Sequence, residues 1–302
     1  MANPCVFCGD DSARLTDEHV FADWITGFYA ERVGKLPYGT VEMGTSSGEP
    51  RQFRTVPFQQ VVKIVCAKCN SGWMASLEGQ VKPYLSKMLV GKNVRLRSNT
   101  QRDLARWCLK TVMVMEHFNP KDPLIPKAHY RDLYQAGAAL SNNFIVISSR
   151  KIPRHDEKGL HMVQIFRDRV IFAKIDESLV GGDRQLAQDW MNQQARDGHV
   201  AYKVTFAVGN FVAQVFGHDL PGTLAIAGNG PAIPIWPDVR NRIDWSMDKY
   251  SVDQVGGLLP FHRMFAAPPP GVHVPPDYFT RTTPFQLDPS DLLPRNERNP
   301  QP

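Results

Sequence analysis

No stretch of this 302-residue chain approaches the roughly 20 consecutive apolar residues of a membrane-spanning helix, so the sequence offers no segment for one. The N-terminus lacks the apolar core of a secretory signal, which points away from an oxidising compartment and leads us to expect a cytoplasmic protein with no membrane partner. There is no glycine-rich phosphate cradle and no internal repeat, which removes P-loop nucleotide hydrolases and solenoids. Cysteine is scarce, with five residues in all. A surplus of acid is also absent: 35 basic residues stand against 30 acidic ones, a net charge of +5 compatible with a polyanionic partner. What remains, 42% hydrophobic and 22% charged, is the balance of a soluble globular chain long enough for one large domain or two ordinary ones.

Four of the five cysteines form two short clips, Cys5-Val6-Phe7-Cys8 and Cys66-Ala67-Lys68-Cys69. Each clip presents two thiolates from one tight turn, and two clips complete the tetrahedral sulfur set that zinc prefers. Disulfides and CxxC redox chemistry are the competing uses, but in a chain with no export signal the spacing favours structural zinc at Cys5, Cys8, Cys66 and Cys69. Cys108 lies in an apolar helical pattern and reads as a small buried hydrophobe.

The pattern of elements indicates an α+β fold. Residues 15–21 read as a strand with polar residues at its turn, 22–33 as a helix, and Val61 to Val65 as a strand delivering the second clip, with a helix opening at Asn70. Between them, Gly34 to Pro57 is rich in Gly, Ser and Pro and reads as an exposed excursion. Further on, helices are expected at 102–118, 127–139 and 182–197. Residues 162–166 and 170–175 suggest a hairpin around Arg167-Asp168, and 202–208 with 211–216 a second around Gly209-Asn210. Three regions follow: 1–80 with the clips, 81–266 as an α+β domain of antiparallel hairpins and helices, and 267–302 as a proline-rich extended tail.

Between the clips stands Glu18-His19, and Asn70 follows Cys69 directly. This combination resembles the HNH, or ββα-metal, endonucleases, in the subgroup tied by a zinc ribbon. The resemblance covers about the first 80 residues and continues through Ser71-Gly72-Trp73-Met74. It implies a hairpin plus one helix, with His19 as general base for phosphodiester hydrolysis. It further implies one hard divalent cation, Mg²⁺ or Mn²⁺, held by Glu18 and Asn70, while the zinc takes no part in bond breaking. A neutral imidazole is available near pH 7 for such a task, and carboxylate and amide oxygens suit Mg²⁺. The chain departs from the pattern in having Phe21-Ala22-Asp23 where the family commonly carries a proline. It also has no asparagine between His19 and Val61 to orient the imidazole, a role left to Gln59, Gln60 or a backbone carbonyl.

On this reading the partner is DNA, met by Lys68 in the second clip and by Lys82, Lys87, Arg95 and Arg97 in a segment from Lys82 to Lys110 where Asp103 is the only acid. Glu78, two turns beyond Asn70, reads as a helix-surface partner of Lys82 or an auxiliary ligand, and Trp24 and Trp73 as core. Two other functions fit the same residues. One is a non-catalytic zinc-stabilised DNA-binding or assembly protein. The other is a nuclease effector gated through residues 81–266 by a protein partner or an activating ligand.

Overall fold

The computed structural model describes residues 3–33, 39–44, 51–55, 58–118, 123–137, 140, 144–151, 163–169, 193, 196–219, 224–227, 233–237, 239–246, 251–252 and 263–266. Strand Leu15–His19 (β1) leads into helix Asp23–Val33 (α1) and strands Gly39–Gly44 (β2), Arg51–Thr55 (β3) and Val61–Cys66 (β4). A wide π-helical turn, Cys69–Met74, runs into helix Ala75–Leu89 (α2), followed by strand Val94–Arg97 (β5) and helices Ser98–Glu116 (α3) and Lys127–Gln135 (α4). Strands Phe144–Lys151 (β6), Val163–Arg169 (β7), Ala201–Val208 (β8), Phe211–His218 (β9) and Leu224–Ala227 (β10) come next. Strands Ile233–Trp236 (β11), Arg242–Trp245 (β12), Ser251–Val252 (β13) and Arg263–Ala266 (β14) complete the described elements. Helices and antiparallel strands together make the fold α+β.

β1 and β4 pair as a two-stranded antiparallel ribbon. The main sheet runs β11-β6-β9-β8-β7-β2-β3, with β13 beside β6. Helix α3 packs between α2 and this sheet, which explains why it is buried on nearly every side from Leu104 to Glu116. The two layers share one core: Trp107 meets the rings of Phe206 and Phe211, and Phe21, just after the ribbon, meets Phe58 and Phe206.

The structure corrects two local expectations. The excursion at 34–57 contains the β2–β3 hairpin, and β2 joins the sheet by pairing in parallel with β7. Arg167 and Asp168 are not a turn but sit inside β7, opposite Val204 and Lys203 of β8. Helix α2 runs through residue 80 without a break. The strand expected at 170–175, most of the helix at 182–197 and the proline-rich tail lie outside the described residues. The Gly209-Asn210 turn is as expected, with Gly209 at positive φ, and it docks on the helices through Asn210 N–H donating to Leu89 O.

A buried histidine gives the fold a pH signature. His129 on α4 is 1% exposed, its Nδ1 lies 3.0 Å from the Tyr202 hydroxyl, and burial holds its pKa below the ordinary 6.5 against the pull of Asp132 and Asp219. The unfolded chain therefore binds the proton more readily, so stability is present above pH 6.5 and declines as pH falls below it. The urea midpoint is expected to be lower at pH 5.5 than at 7.5, with a smaller difference in His129→Gln. An equal difference in both proteins would assign the pH effect to other groups.

Candidate metal and catalytic centre

The first clip is a tight turn closed by Gly9 N–H to Cys5 O and Cys5 N–H to Asp10 O. Gly9 takes φ +77°, which a residue with a Cβ rarely adopts. Val6 N–H donates to Ile64 O and lays the clip against β4, which carries Cys66 at its end while the π turn begins at Cys69. The four Sγ atoms lie within 4.8 Å of one another. Cys8 and Cys66 Sγ are 3.7 Å apart, near the roughly 3.8 Å edge of a tetrahedron with 2.3 Å zinc–sulfur bonds and far beyond a disulfide bond of about 2.05 Å. These four cysteines fit a metal such as zinc. Burial raises the thiol of Cys5, but backbone hydrogen bonds at Cys8, Cys66 and Phe7 outweigh it and bring the pKa to about 7. Cys8 and Cys69 are held above the ordinary thiol value, burial being the chief cause at both.

The knot places the helix start against β1. Asn70 Nδ2 donates to Thr16 Oγ1 at 3.1 Å and to Asp17 O at 2.9 Å, across the irregularity that shifts the β1–β4 register between Thr16 and Asp17. Asn70 thus reaches the strand one residue before Glu18. It does not cap its own helix, where Ser71 Oγ instead bonds Ala67 O.

Alternation along β1 sends its two sequence-predicted site residues to opposite faces. His19 is 35% exposed on its side chain, and its Nε2 lies 3.5 Å from Asp23 Oδ1 at the start of α1. Asp23 is thus an acid beside the imidazole that the sequence reading, which looked to Gln59, Gln60 or a backbone carbonyl, did not name. The available signal was the acid four residues on, where the family's proline is replaced. Glu18 points inward and is 5% exposed. Its Oε1 accepts from Lys110 Nζ at 2.8 Å, and the same ammonium donates to Glu78 Oε1 at 2.7 Å. Burial lowers the Lys110 pKa, yet the charges of Glu78 and Glu18 outweigh it and leave the pKa above the ordinary lysine value. Lys110, counted from sequence among the exposed cations, is wholly buried, and Glu78 pairs with it rather than with Lys82.

The cations expected to meet DNA are dispersed in role. Lys68, Lys87 and Arg97 are exposed, and Lys82, also exposed, lies 5.5 Å from the Trp24 ring. Arg95 is engaged, its Nε 3.1 Å from Asp244 Oδ1 across the β5–β12 pair. Cys108 is fully buried, as expected of a small hydrophobe. Among the described residues, no helix is long and apolar enough to cross a membrane.

No family model, curated protein or solved structure matches this chain. The chemistry of the site therefore carries the functional argument alone.

Proposed function

We propose that the chain is an HNH-type endonuclease that hydrolyses DNA phosphodiester bonds at His19, on a ribbon-and-helix module knotted by structural zinc. The observation that carries this reading is the bond from Asn70 to β1. It draws the residue after the second clip to the strand bearing Glu18 and His19, the juxtaposition that the resemblance implies. In this reading Nε2, which faces Asp23, carries the ring proton, and Nδ1 is the atom that takes a proton from the attacking water. Asp23 then stabilises the imidazolium as it forms.

The resemblance also implies Mg²⁺ or Mn²⁺ on Glu18 and Asn70, and here the side chains do not fit. Glu18 is buried against an ammonium and His19 stands on the other face of the strand, so of the expected ligands only the Oδ1 of Asn70, whose N–H groups go to Thr16 and Asp17, is left without a protein partner among the hydrogen bonds described. Lys110 already supplies positive charge where the cation would neutralise Glu18. The same observation favours the second reading, a zinc-stabilised DNA-binding or assembly module without turnover. A nuclease gated through residues 81–266 by a partner or ligand remains a variant of the first.

Nicking of supercoiled plasmid by the zinc-loaded protein in Mg²⁺ buffer separates the readings. Wild type is expected to nick, and His19→Ala to fall by at least about a hundredfold while keeping its zinc. Asp23→Asn should fall less. Equal nicking by wild type and His19→Ala would remove the general base, and plasmid binding without nicking would sink the ungated nuclease, leaving the second reading and the gated one to be separated by adding partners or ligands.

A further inference from the structure

A cavity of about 620 Å³ lies between the first cysteine clip, the β1–β4 ribbon and the start of α4. Its walls include Leu15, Ile64 and Tyr130, and three cations line it: Lys63 from β4, and Lys127 and Arg131 from α4. Asp132 is the one acid in the lining. The size is that of a site for a small organic molecule, and its mixture of apolar wall and clustered positive charge suits an anion with a flat apolar body. Its position relates it to the catalytic face. Lys63 stands opposite Asp17 in the ribbon register, and Asp17 is two residues from His19, so Lys63 and His19 share the outer face of the ribbon.

We propose that this cavity is a nucleotide subsite, receiving one unpaired nucleotide of the strand whose neighbouring phosphate lies at His19. The base lies against Leu15, Ile64 and Tyr130, and the phosphates on either side meet Lys63, Lys127 and Arg131. A paired base cannot enter such a cavity without leaving its stack, so the site selects single-stranded or unpaired nucleic acid over intact duplex. This gives the substrate class of the proposed nuclease and rests on that reading only for what happens to the bound strand.

The test is fluorescence anisotropy on the full-length, zinc-loaded chain carrying His19→Ala, with a labelled 12-nucleotide DNA strand, its duplex, the RNA strand of the same sequence, and AMP as competitor. The single strand, DNA or RNA, is expected to bind at least about tenfold more tightly than the duplex. The exposed pair Lys127→Gln/Arg131→Gln should weaken it about tenfold or more and lower the salt slope by about 1.4, the share of two phosphates on a single strand. Ala128→Trp, at an exposed position lining the cavity, fills it without changing charge and should remove the preference for single strands. Duplex bound as tightly as the single strand, or an Ala128→Trp variant that keeps the preference, would overturn the proposal, as would AMP binding more tightly than the 12-mer. Strand binding with this pattern but no nicking by the wild-type protein would keep the subsite and fail the ungated nuclease.

Discussion

Removing zinc, with a chelator or through Cys69→Ser, is expected to unfold the first clip and loosen the β1–β4 ribbon while much of the main sheet persists. The clip from Cys5 to Asp10 is held to the rest of the chain by few backbone bonds, chiefly Val6 N–H to Ile64 O. Its one large anchor is Phe7, buried against the rings of Trp73 and Tyr130. Without the metal, four thiol groups crowd within 4.8 Å, three of them buried, with only weak S–H hydrogen bonds to make. Structural zinc sites contribute on the order of 10 kcal/mol, so the loss should exceed any single side-chain change in the molecule. Wild type should carry one zinc per chain by elemental analysis and Cys69→Ser almost none. The ribbon's melting transition should fall by about 20 °C or more. Zinc at stoichiometry with unchanged melting after its removal would make the knot dispensable to the fold.

Lys110→Met is the second large effect. The wild-type ammonium joins β1, α2 and α3 through Glu18 and Glu78, and it is wholly enclosed. Methionine fills the same volume but leaves two carboxylates facing each other in a partly desolvated space, a loss of about 3–5 kcal/mol. Adding Glu18→Gln and Glu78→Gln to Lys110→Met should restore most of it, because the penalty comes from unpaired charge rather than lost packing. Urea unfolding of the three proteins measures both steps. If the ammonium stands in for a divalent ion, Mn²⁺ should raise the melting point of Lys110→Met and leave wild type unmoved. Mn²⁺ stabilisation of wild type that disappears in Glu18→Gln would show instead that a cation reaches Glu18 past the lysine. The Lys110 pKa lies above the ordinary lysine value of 10.5, so the ammonium's stabilising effect persists through neutral pH and is lost only in strong alkali.

Much of the site was legible because its logic is local. CxxC spacing brings two thiolates into one turn, Asn70 follows its cysteine, and strand alternation separates Glu18 from His19. The helices at α1, α3 and α4 and the turn at Gly209-Asn210 followed from periodicity and turn chemistry in the same way. Asp23 was within reach of the same reasoning, four residues from His19, but its approach to the imidazole depends on the angle at which α1 leaves the strand. The Gly/Ser/Pro composition of 34–57 concealed two strands, because β2 is completed by β7, more than a hundred residues later.

The sequence by itself determined the thiolate knot, the order of the local elements and the faces of β1, since each depends on residues a few positions apart. Only the tertiary structure decided what Glu18 faces. The partners of Lys110 lie 92 and 32 residues away, and a helix pattern shows that a position is buried without showing which charge awaits it there. Burial of an ion is tolerated only where opposite charge and hydrogen bonds surround it, and that surrounding exists only once β1, α2 and α3 have packed.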